Sequence, residues 1–213
     1  MIITSLIIAG FKKEITTKVF GFWGHIHATD VNINRTFEPT PISKSATYIP
    51  EIEEIEWLEY QTPTQIFGYD LGDGYSMKRT KGGVHHVQPF ARTAGILKTS
   101  KEFAAILLKG IDKTYDWNYL PEFLVEGEPL DLTGEEADKG IVISTVMAKT
   151  LDIKLGQRIR IVTLKNNESL KRVFVVKGIY NTGLEEYDKQ IAIVDMRKVQ
   201  EMLGWDADEI TGL

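Results

Sequence analysis

Four histidines are the residues of this sequence best suited to bind a metal ion. His25 and His27 stand two apart in "GHIHATDVNI", where Ile26, Ala28 and Val31 alternate with polar residues as in a half-buried strand. On a strand both imidazoles would lie on one face, and the adjacent His85 and His86 would offer a third ligand. However, no carboxylate stands at a spacing that completes a known site, and neighbouring side chains of a strand point to opposite faces. The pattern therefore favours polar surface over a metal site.

Two acidic clusters are the other candidates for chemistry. Asp70 and Asp73 in "GYDLGDG" are spaced like part of a calcium loop but lack its remaining oxygen ligands, and Asp and Gly are also what tight turns require. Glu185, Glu186 and Asp188 in "GLEEYDK" form a carboxylate cluster. Such acids act in general acid/base catalysis only when burial separates their pKa values, and a polar loop favours the solvated case. We predict a turn at the first cluster and solvated surface at the second.

Motifs and composition exclude several further functions. The chain has no Gly-x-Ser-x-Gly, phosphate-binding or dinucleotide-binding motif, and no cysteine for thiolate catalysis, disulfides or zinc ligation. Its net charge of −5, with both signs scattered along 213 residues, does not indicate nucleic-acid binding. We therefore predict a protein that is not an enzyme and uses no cofactor, with no catalytic and no metal-binding residue.

The N-terminal segment is an apolar run, "MIITSLIIAG", followed by the charged and aromatic stretch "FKKEITTKVFGFWGHI". A secretory signal would carry its positive charge before the apolar run, whereas here Lys12 and Lys13 follow it. As a helix the run would cover roughly 16 Å, about half of a bilayer core. Phe11, Ile15 and Val19 recur every fourth residue. This predicts the last turns of a transmembrane helix continuing into an amphipathic stalk, with the N-terminal amphipathic helix of an ordinary domain as the alternative.

The elements after this segment alternate between strands and short helices. Besides the strand of "GHIHATDVNI", we predict a loop over residues 32–50, a helix in "PEIEEIEWLEY" and an irregular excursion over residues 62–83. Strands are predicted in "GVHHVQPFA", "AGILKT", "EFAAILLKGI", "IVI", "QRIRIVTL", "KRVFVVKGIY" and "KQIAIVD". Ser144 and Asp195 are predicted helix N-caps, and Gly204 ends the second of these helices. Such an order is typical of α+β proteins.

Several stretches, in order, resemble one family. They are "GFKKEITTKVFGFWGHI", "VQPFARTAGILKT", "LLKGIDKTYDW", "VISTVMAKTLDIKLGQRI", "GIYNTGLEEYDKQIAIVD" and "QEMLGWDADEITG". Together they resemble the extracytoplasmic domain of MacB/FtsX-like ABC transporter permeases of the lipoprotein-releasing (LolC/LolE) type, in the form common in Bacteroidetes. Residues 37–83 contribute little to the resemblance.

The resemblance implies a division of the chain. Residues 1–20 would be the end of the first transmembrane helix and the stalk, residues 21–115 plus 186–213 a porter-like βαβ subdomain, and residues 116–185 an inserted, β-rich, sabre-like subdomain. It also implies a place at the periplasmic face of the bacterial inner membrane.

The function implied by the resemblance is mechanical. The domain would couple helix movement, driven by ATP hydrolysis on a cytoplasmic ATPase subunit, to release or export of lipoprotein or other hydrophobic cargo. A second permease protomer would complete the transporter. A periplasmic carrier or lipoprotein would contact the connection between two strands, at Lys165, Asn166, Asn167, Glu168 and Ser169. Two alternatives stay open at this point: a membrane-anchored, metal-dependent hydrolase that uses the histidines, and a ligand-sensing ectodomain.

Overall fold

A computed structural model describes residues 2–32, 39–66, 69–84, 86–99, 102–116, 123–165 and 168–213. Strands predominate over helices in this part of the chain, so the protein is a mixed α+β protein, as predicted. The helices are α1 (Ile2–Trp23), α2 (Tyr48–Glu53), α3 (Thr145–Thr150), α4 (Glu185–Asp188) and α5 (Met196–Leu203). The strands are β1 (Ile42–Ser43), β2 (Trp57–Ile66), β3 (Tyr69–Lys81), β4 (Phe90–Lys98), β5 (Phe103–Ile111), β6 (Leu124–Gly127), β7 (Gly140–Ser144), β8 (Arg158–Lys165), β9 (Glu168–Tyr180), β10 (Ile191–Asp195) and β11 (Glu209–Ile210).

The chain divides into two compact units. The first comprises residues 1–44 and 88–213, and the second comprises residues 45–87. Strands β7 and β9, from the predicted sabre part, are hydrogen-bonded in one sheet with β10, from the predicted porter part. The boundaries of the two compact units therefore differ from those of the predicted porter-like and sabre-like subdomains. The division into these subdomains stays a prediction.

A seven-stranded sheet forms the first unit, in the order β6-β9-β7-β10-β5-β4-β8. Because β8 also pairs with β9, six of these strands close into a barrel. The 13-residue β9 makes this closure possible: it pairs with β8 up to Val175 and with β7 from Val175 onward. Closure gives β8 a partner on each side, β4 on one and β9 on the other.

Side chains on both faces of the barrel wall are buried on one side of the molecule. On β10, Ala192 and Val194 belong to the large cluster inside the barrel, whereas Ile191 and Ile193 belong to a smaller cluster outside it. A strand covered on both faces reads as a continuous apolar run, which is the pattern of "KQIAIVD".

The caps predicted from the sequence are confirmed. The side chain of Ser144 accepts a hydrogen bond from the Met147 amide at 3.0 Å and begins α3. The Asp195 carboxylate accepts one from the Arg197 amide at 2.9 Å and begins α5. Gly204 ends α5 in the left-handed conformation, with φ of 64°.

Several element predictions are wrong. "GHIHATDVNI" forms no regular strand in its described part, where Thr29 makes a single bridge to Gly212. The predicted helix of "PEIEEIEWLEY" ends at Glu53, and Trp57 already begins β2, because aromatic residues there favour a strand. Asp70 and Asp73 lie within β3 rather than in a turn.

The second unit contains a two-stranded antiparallel ribbon in the segment for which the sequence predicts an irregular excursion. The ribbon pairs β2 with β3, from Trp57 opposite Lys81 to Pro63 opposite Tyr75, with an irregularity after Pro63. The Arg79 guanidinium lies 4.8 Å from the ring centroid of Trp57, a cation–π contact along the ribbon.

Helix α1 is continuous over 22 residues, from Ile2 to Trp23. Leu6, Ile7 and Ile8 are consecutive and more than 60% exposed, so the helix is apolar on several sides in its first half. The predicted amphipathic stripe is therefore only partly confirmed: Ile15 and Val19 are half-buried, but Phe11 is exposed. No helix in the described part of the chain is both long and apolar enough to cross a membrane.

Candidate functional site: the anchor of the N-terminal helix

A buried lysine fixes the end of α1 to the sheet. Lys109, on β5, is 2% exposed, and its ammonium donates a hydrogen bond to the main-chain carbonyl of Phe22. That carbonyl belongs to the last turn of α1, where carbonyl groups lack helical partners and the helix dipole favours a positive charge. Gly24 ends the helix at a φ of 88°, and its amide donates to the Phe20 carbonyl at 2.7 Å.

Aromatic rings enclose the same ammonium. The Lys109 nitrogen lies 5.2 Å from the ring centroid of Phe22 and 5.4 Å from that of Tyr115. The Phe22 ring in turn lies 5.6 Å from the ring of Tyr180, whose hydroxyl donates to the Ile191 carbonyl at 2.9 Å. Burial lowers the pKa of Lys109 to about 7 and raises that of Tyr115. The last turn of α1 is thus part of the outer apolar cluster.

The segment that follows α1 lies against the C-terminal residues. Ala28 and Leu213 exchange two backbone hydrogen bonds, of 3.1 and 3.0 Å, and Thr29 forms an antiparallel bridge with Gly212. The amides of Thr211 and Gly212 also donate to the Phe90 carbonyl at the start of β4. The segment after α1, the residues up to Leu213 and the start of β4 are therefore hydrogen-bonded to one another.

A second contact of α1 is electrostatic. Lys18 forms an ion pair of 3.0 Å with Glu14, and its ammonium lies over Gly183. Burial raises the pKa of the Asp188 carboxyl, and the nearby Lys18 ammonium lowers it less strongly. The Thr182 hydroxyl donates to this carboxyl at 2.8 Å, which favours the charged form. The C-terminal half of α1 thus contacts the rest of the first unit at Lys18 as well as at Phe22.

Three kinds of contact therefore fix the end of α1 to the sheet. They are the hydrogen bond of the buried Lys109, the packing of the aromatic cluster and the adjacent β-bridge of Thr29. The described contacts at the anchor are packing and hydrogen bonds.

The histidines considered as metal ligands do not form a metal-binding group in the described part of the chain. Among the described residues no group of three or more His, Cys, Asp or Glu is placed to hold a metal ion. His25 stacks near Phe20, with ring centroids 4.2 Å apart, and His27 lies 5.4 Å from the ring of Phe90. His86 is exposed, and His85 lies outside the described residues.

The acidic cluster of "GLEEYDK" is divided by the fold. Glu185 and Glu186 are exposed, as predicted, and the 2.9 Å ion pair of Glu185 with Lys189 lowers the pKa of that carboxyl. Asp188 is buried, contrary to the prediction of a solvated cluster.

The predicted carrier contact falls partly outside the described residues, since Asn166 and Asn167 do. Lys165 ends β8 and is half-buried, with its ammonium against Gly204, the residue that ends α5. Glu168 and Ser169 begin β9 and are exposed. These three residues lie at the turn end of the β8–β9 pair, and their carrier contact stays a prediction.

Sequence reasoning missed Lys109, although a signal was present. It is the only charged residue in "FAAILLKGI", an apolar strand in which a cation must either reach solvent or find a buried partner. Its partner comes from a helix 87 residues earlier in the chain, which no local pattern reveals.

Comparison with known proteins gives a similarity in fold. No family model matches the chain, and no curated protein matches it. Sixteen chains among the solved structures match. One is the extracellular domain of the noncanonic ABC-type transporter YknZ from Gram-positive bacteria, with a TM-score of 0.46 and 19% sequence identity. The match covers 61% of this chain and 63% of that one, so the chain spans less than two thirds of that domain.

Proposed function

We propose that this chain is the extracytoplasmic domain of an ABC transporter permease, in which α1 acts as a rigid lever. The observation that carries the proposal is the anchor: the buried Lys109 holds the last turn of α1, and Ala28 pairs with Leu213 beside it. A domain tethered at one place through a stiff, fixed helix follows every movement of that helix. The ordered resemblance of six stretches to such permeases supports the same function.

The apolar first half of α1 supports a membrane attachment. Leu6, Ile7 and Ile8 face three sides of the helix, because successive residues are about 100° apart, and all three are exposed. A helix that is apolar on all sides is stable when apolar surroundings enclose it, and a bilayer supplies them. In this proposal Met1–Gly10 is the outer end of a transmembrane helix, and the domain lies at the periplasmic face of the inner membrane.

The partners follow from the mechanism. A cytoplasmic ATPase subunit would supply the movement, and a second permease protomer would complete the pore. The cargo would be a lipoprotein or another hydrophobic molecule, and a periplasmic carrier would contact the connection at Lys165, Asn166, Asn167, Glu168 and Ser169. The porter-like and sabre-like parts would grip and release the cargo.

Purification of the complete gene product from its own cells tests the transport role. We expect it to co-purify with an ATPase subunit and to hydrolyse ATP in lipid. Inserting four glycines between Lys13 and Glu14 should leave this complex intact and abolish cargo release, whereas inserting four alanines, which preserve a helix, should retain part of it. A complete protein that neither binds an ATPase nor hydrolyses ATP would contradict the proposal.

The carrier contact has a separate test. Glu168→Lys with Ser169→Glu in the complete protein should weaken recovery of a periplasmic carrier while the ATPase still co-purifies. Unchanged carrier recovery would show that docking through this connection is wrong, and the transport role would be unaffected.

A further inference from the structure

The outer face of the first half of β5, the second half of β4, β8 and the first half of β9 is exposed and carries an unusual set of side chains. Two rows of residues cross these four strands side by side, as their pairing registers show. We call these two rows the basic wall. The first row is Phe103, Lys98, Arg160 and Val173, and the second is Ala105, Ile96, Val162 and Lys171.

Large apolar side chains of the basic wall face solvent. Phe103 is 77% exposed, Val173 53% and Ile96 46%. The inward neighbours on the same strands, such as Leu97 and Ile161, are fully buried, so the exposure is not a result of loose packing. Neighbouring large apolar side chains that are exposed together are typical of an interaction surface.

The charges of the basic wall are all positive. Lys98 and Arg160 are directly opposite each other on neighbouring strands, where like charges destabilise a sheet. Lys171 lies in the second row, and no carboxylate occurs in either row, although the chain as a whole has a net charge of −5. None of these three cations forms an ion pair with a described residue.

The arrangement of charged and apolar side chains in the basic wall distinguishes between a lipid bilayer, a second copy of the chain and another protein as the binding partner. Lys98 and Arg160 form a central pair, with Phe103 and Val173 beyond them in the first row. In the second row Ile96 and Val162 lie beside this pair, and Lys171 lies at the end. A surface that inserts into a bilayer has the reverse order, with apolar groups in the centre and cations at the border. A symmetric contact with a second copy would place Lys98 and Arg160 near the same cations of that copy, which is unfavourable.

We infer that the basic wall binds an acidic, amphipathic segment of a partner protein, with a carboxylate between Lys98 and Arg160 and apolar side chains against Phe103 and Val173. At the centre of the wall, β4 and β8 are each paired on both sides, so a partner over Lys98 and Arg160 recognises side chains rather than adding a strand there. With four strands about 4.8 Å apart and two rows about 7 Å apart, the wall covers roughly 270 Å². That area suits the centre of a standard interface of about 800 Å² per partner.

Photo-crosslinking in living cells tests the inference, with the complete gene product. A p-benzoylphenylalanine is placed at Phe103, and at exposed Tyr187 as the matched control. We expect an adduct from position 103 with a different protein, whose crosslinked peptide contains Asp or Glu among apolar residues. Lys98→Glu with Arg160→Glu should reduce this adduct at least tenfold, and Lys substitutions at the mapped carboxylates should restore it.

Other outcomes overturn the inference. These are an adduct with phospholipid, an adduct with a second copy of the chain, an adduct with a segment that lacks carboxylates, an adduct that charge reversal leaves unchanged, and no adduct at all. The thermal unfolding temperature of the charge-reversed protein should equal that of the wild type, because both residues are exposed. A protein that keeps its transport role but gives no adduct at position 103 separates the failure of this inference from a failure of the proposed function.

Discussion

The barrel has two outer walls that differ in what covers them. On one side Val142, Ile191 and Ile193 lie under Phe22 and Tyr115, in the cluster that anchors α1. On the other side, the basic wall presents Phe103 and Val173 to solvent. Strand β5 contributes to both, with Phe103 on the basic wall and Lys109 and Ile111 in the covered one. The same strand thus carries a binding surface at one end and a structural anchor at the other.

The difference shows how one residue type serves two purposes. A lysine on the covered wall, Lys109, has a helix carbonyl and aromatic rings around it, whereas Lys98 on the basic wall faces Arg160. The buried lysine contributes to the fold by its contacts, and the exposed one leaves its charge available to a partner.

A matched pair of phenylalanine substitutions should give the largest difference between the walls. Phe22→Ala should lower the free energy of unfolding by about 3–5 kcal/mol, because it leaves a cavity beside Tyr180 and removes a ring from Lys109. Phe103→Ala removes the same ring from an exposed position and should change it by about 0.5 kcal/mol or less. Urea unfolding of both variants measures the contrast, and equal effects would show that the walls do not differ.

The pH dependence of stability should distinguish the two lysines. The pKa of Lys109 is about 7 in the folded protein and near 10.5 when unfolded, so the unfolded chain binds more protons between these values. Stability should therefore rise with pH from about 7 towards 10, by at most about 1.4 kcal/mol per pH unit from this residue. Lys109→Met should remove that slope and Lys98→Met should retain it. Urea titrations at pH 7, 8 and 9 measure both, and a slope that survives in Lys109→Met would contradict the assignment.

Replacing a valine by threonine changes the polarity of the side chain but hardly its shape, so it tests whether that side chain is buried. Val142→Thr places a hydroxyl in the covered cluster and should cost about 1–3 kcal/mol. Val173→Thr, on the basic wall, should stay within about 0.5 kcal/mol. Thermal unfolding followed by circular dichroism compares the two, and a large loss at residue 173 would mean that this wall is covered within the protein itself.

Removal of one hydroxyl should have the smallest effect. Tyr180→Phe deletes the buried hydrogen bond to the Ile191 carbonyl and should lower the free energy of unfolding by about 1 kcal/mol. Because the ring stays in place, the contact with Phe22 is retained. A loss as large as that of Phe22→Ala would mean that the hydrogen bond, rather than ring packing, stabilises the covered wall.

Much of the local structure could be predicted from the sequence, because local chemistry decides it. Ser144 and Asp195 are caps because their side-chain oxygens reach amides two or three residues later, and Gly204 can adopt a positive φ at low cost. Strands β5, β7, β8, β9 and β10 follow from β-branched and apolar runs. In contrast, β6 is not predicted, and β4 is a single strand where the sequence predicts two, in "GVHHVQPFA" and "AGILKT". The α+β class follows from their alternation with helices.

Only the tertiary structure decided which apolar runs are covered. Phe103 and Phe22 are equally apolar in sequence, yet one is exposed and the other buried, because burial depends on which element packs against the wall. Likewise Lys109 and Phe22 are 87 residues apart, and Ala28 pairs with Leu213, a residue from a distant part of the chain. Sequence periodicity reports the faces of single elements, whereas the anchor and the basic wall arise from the pairing of distant strands.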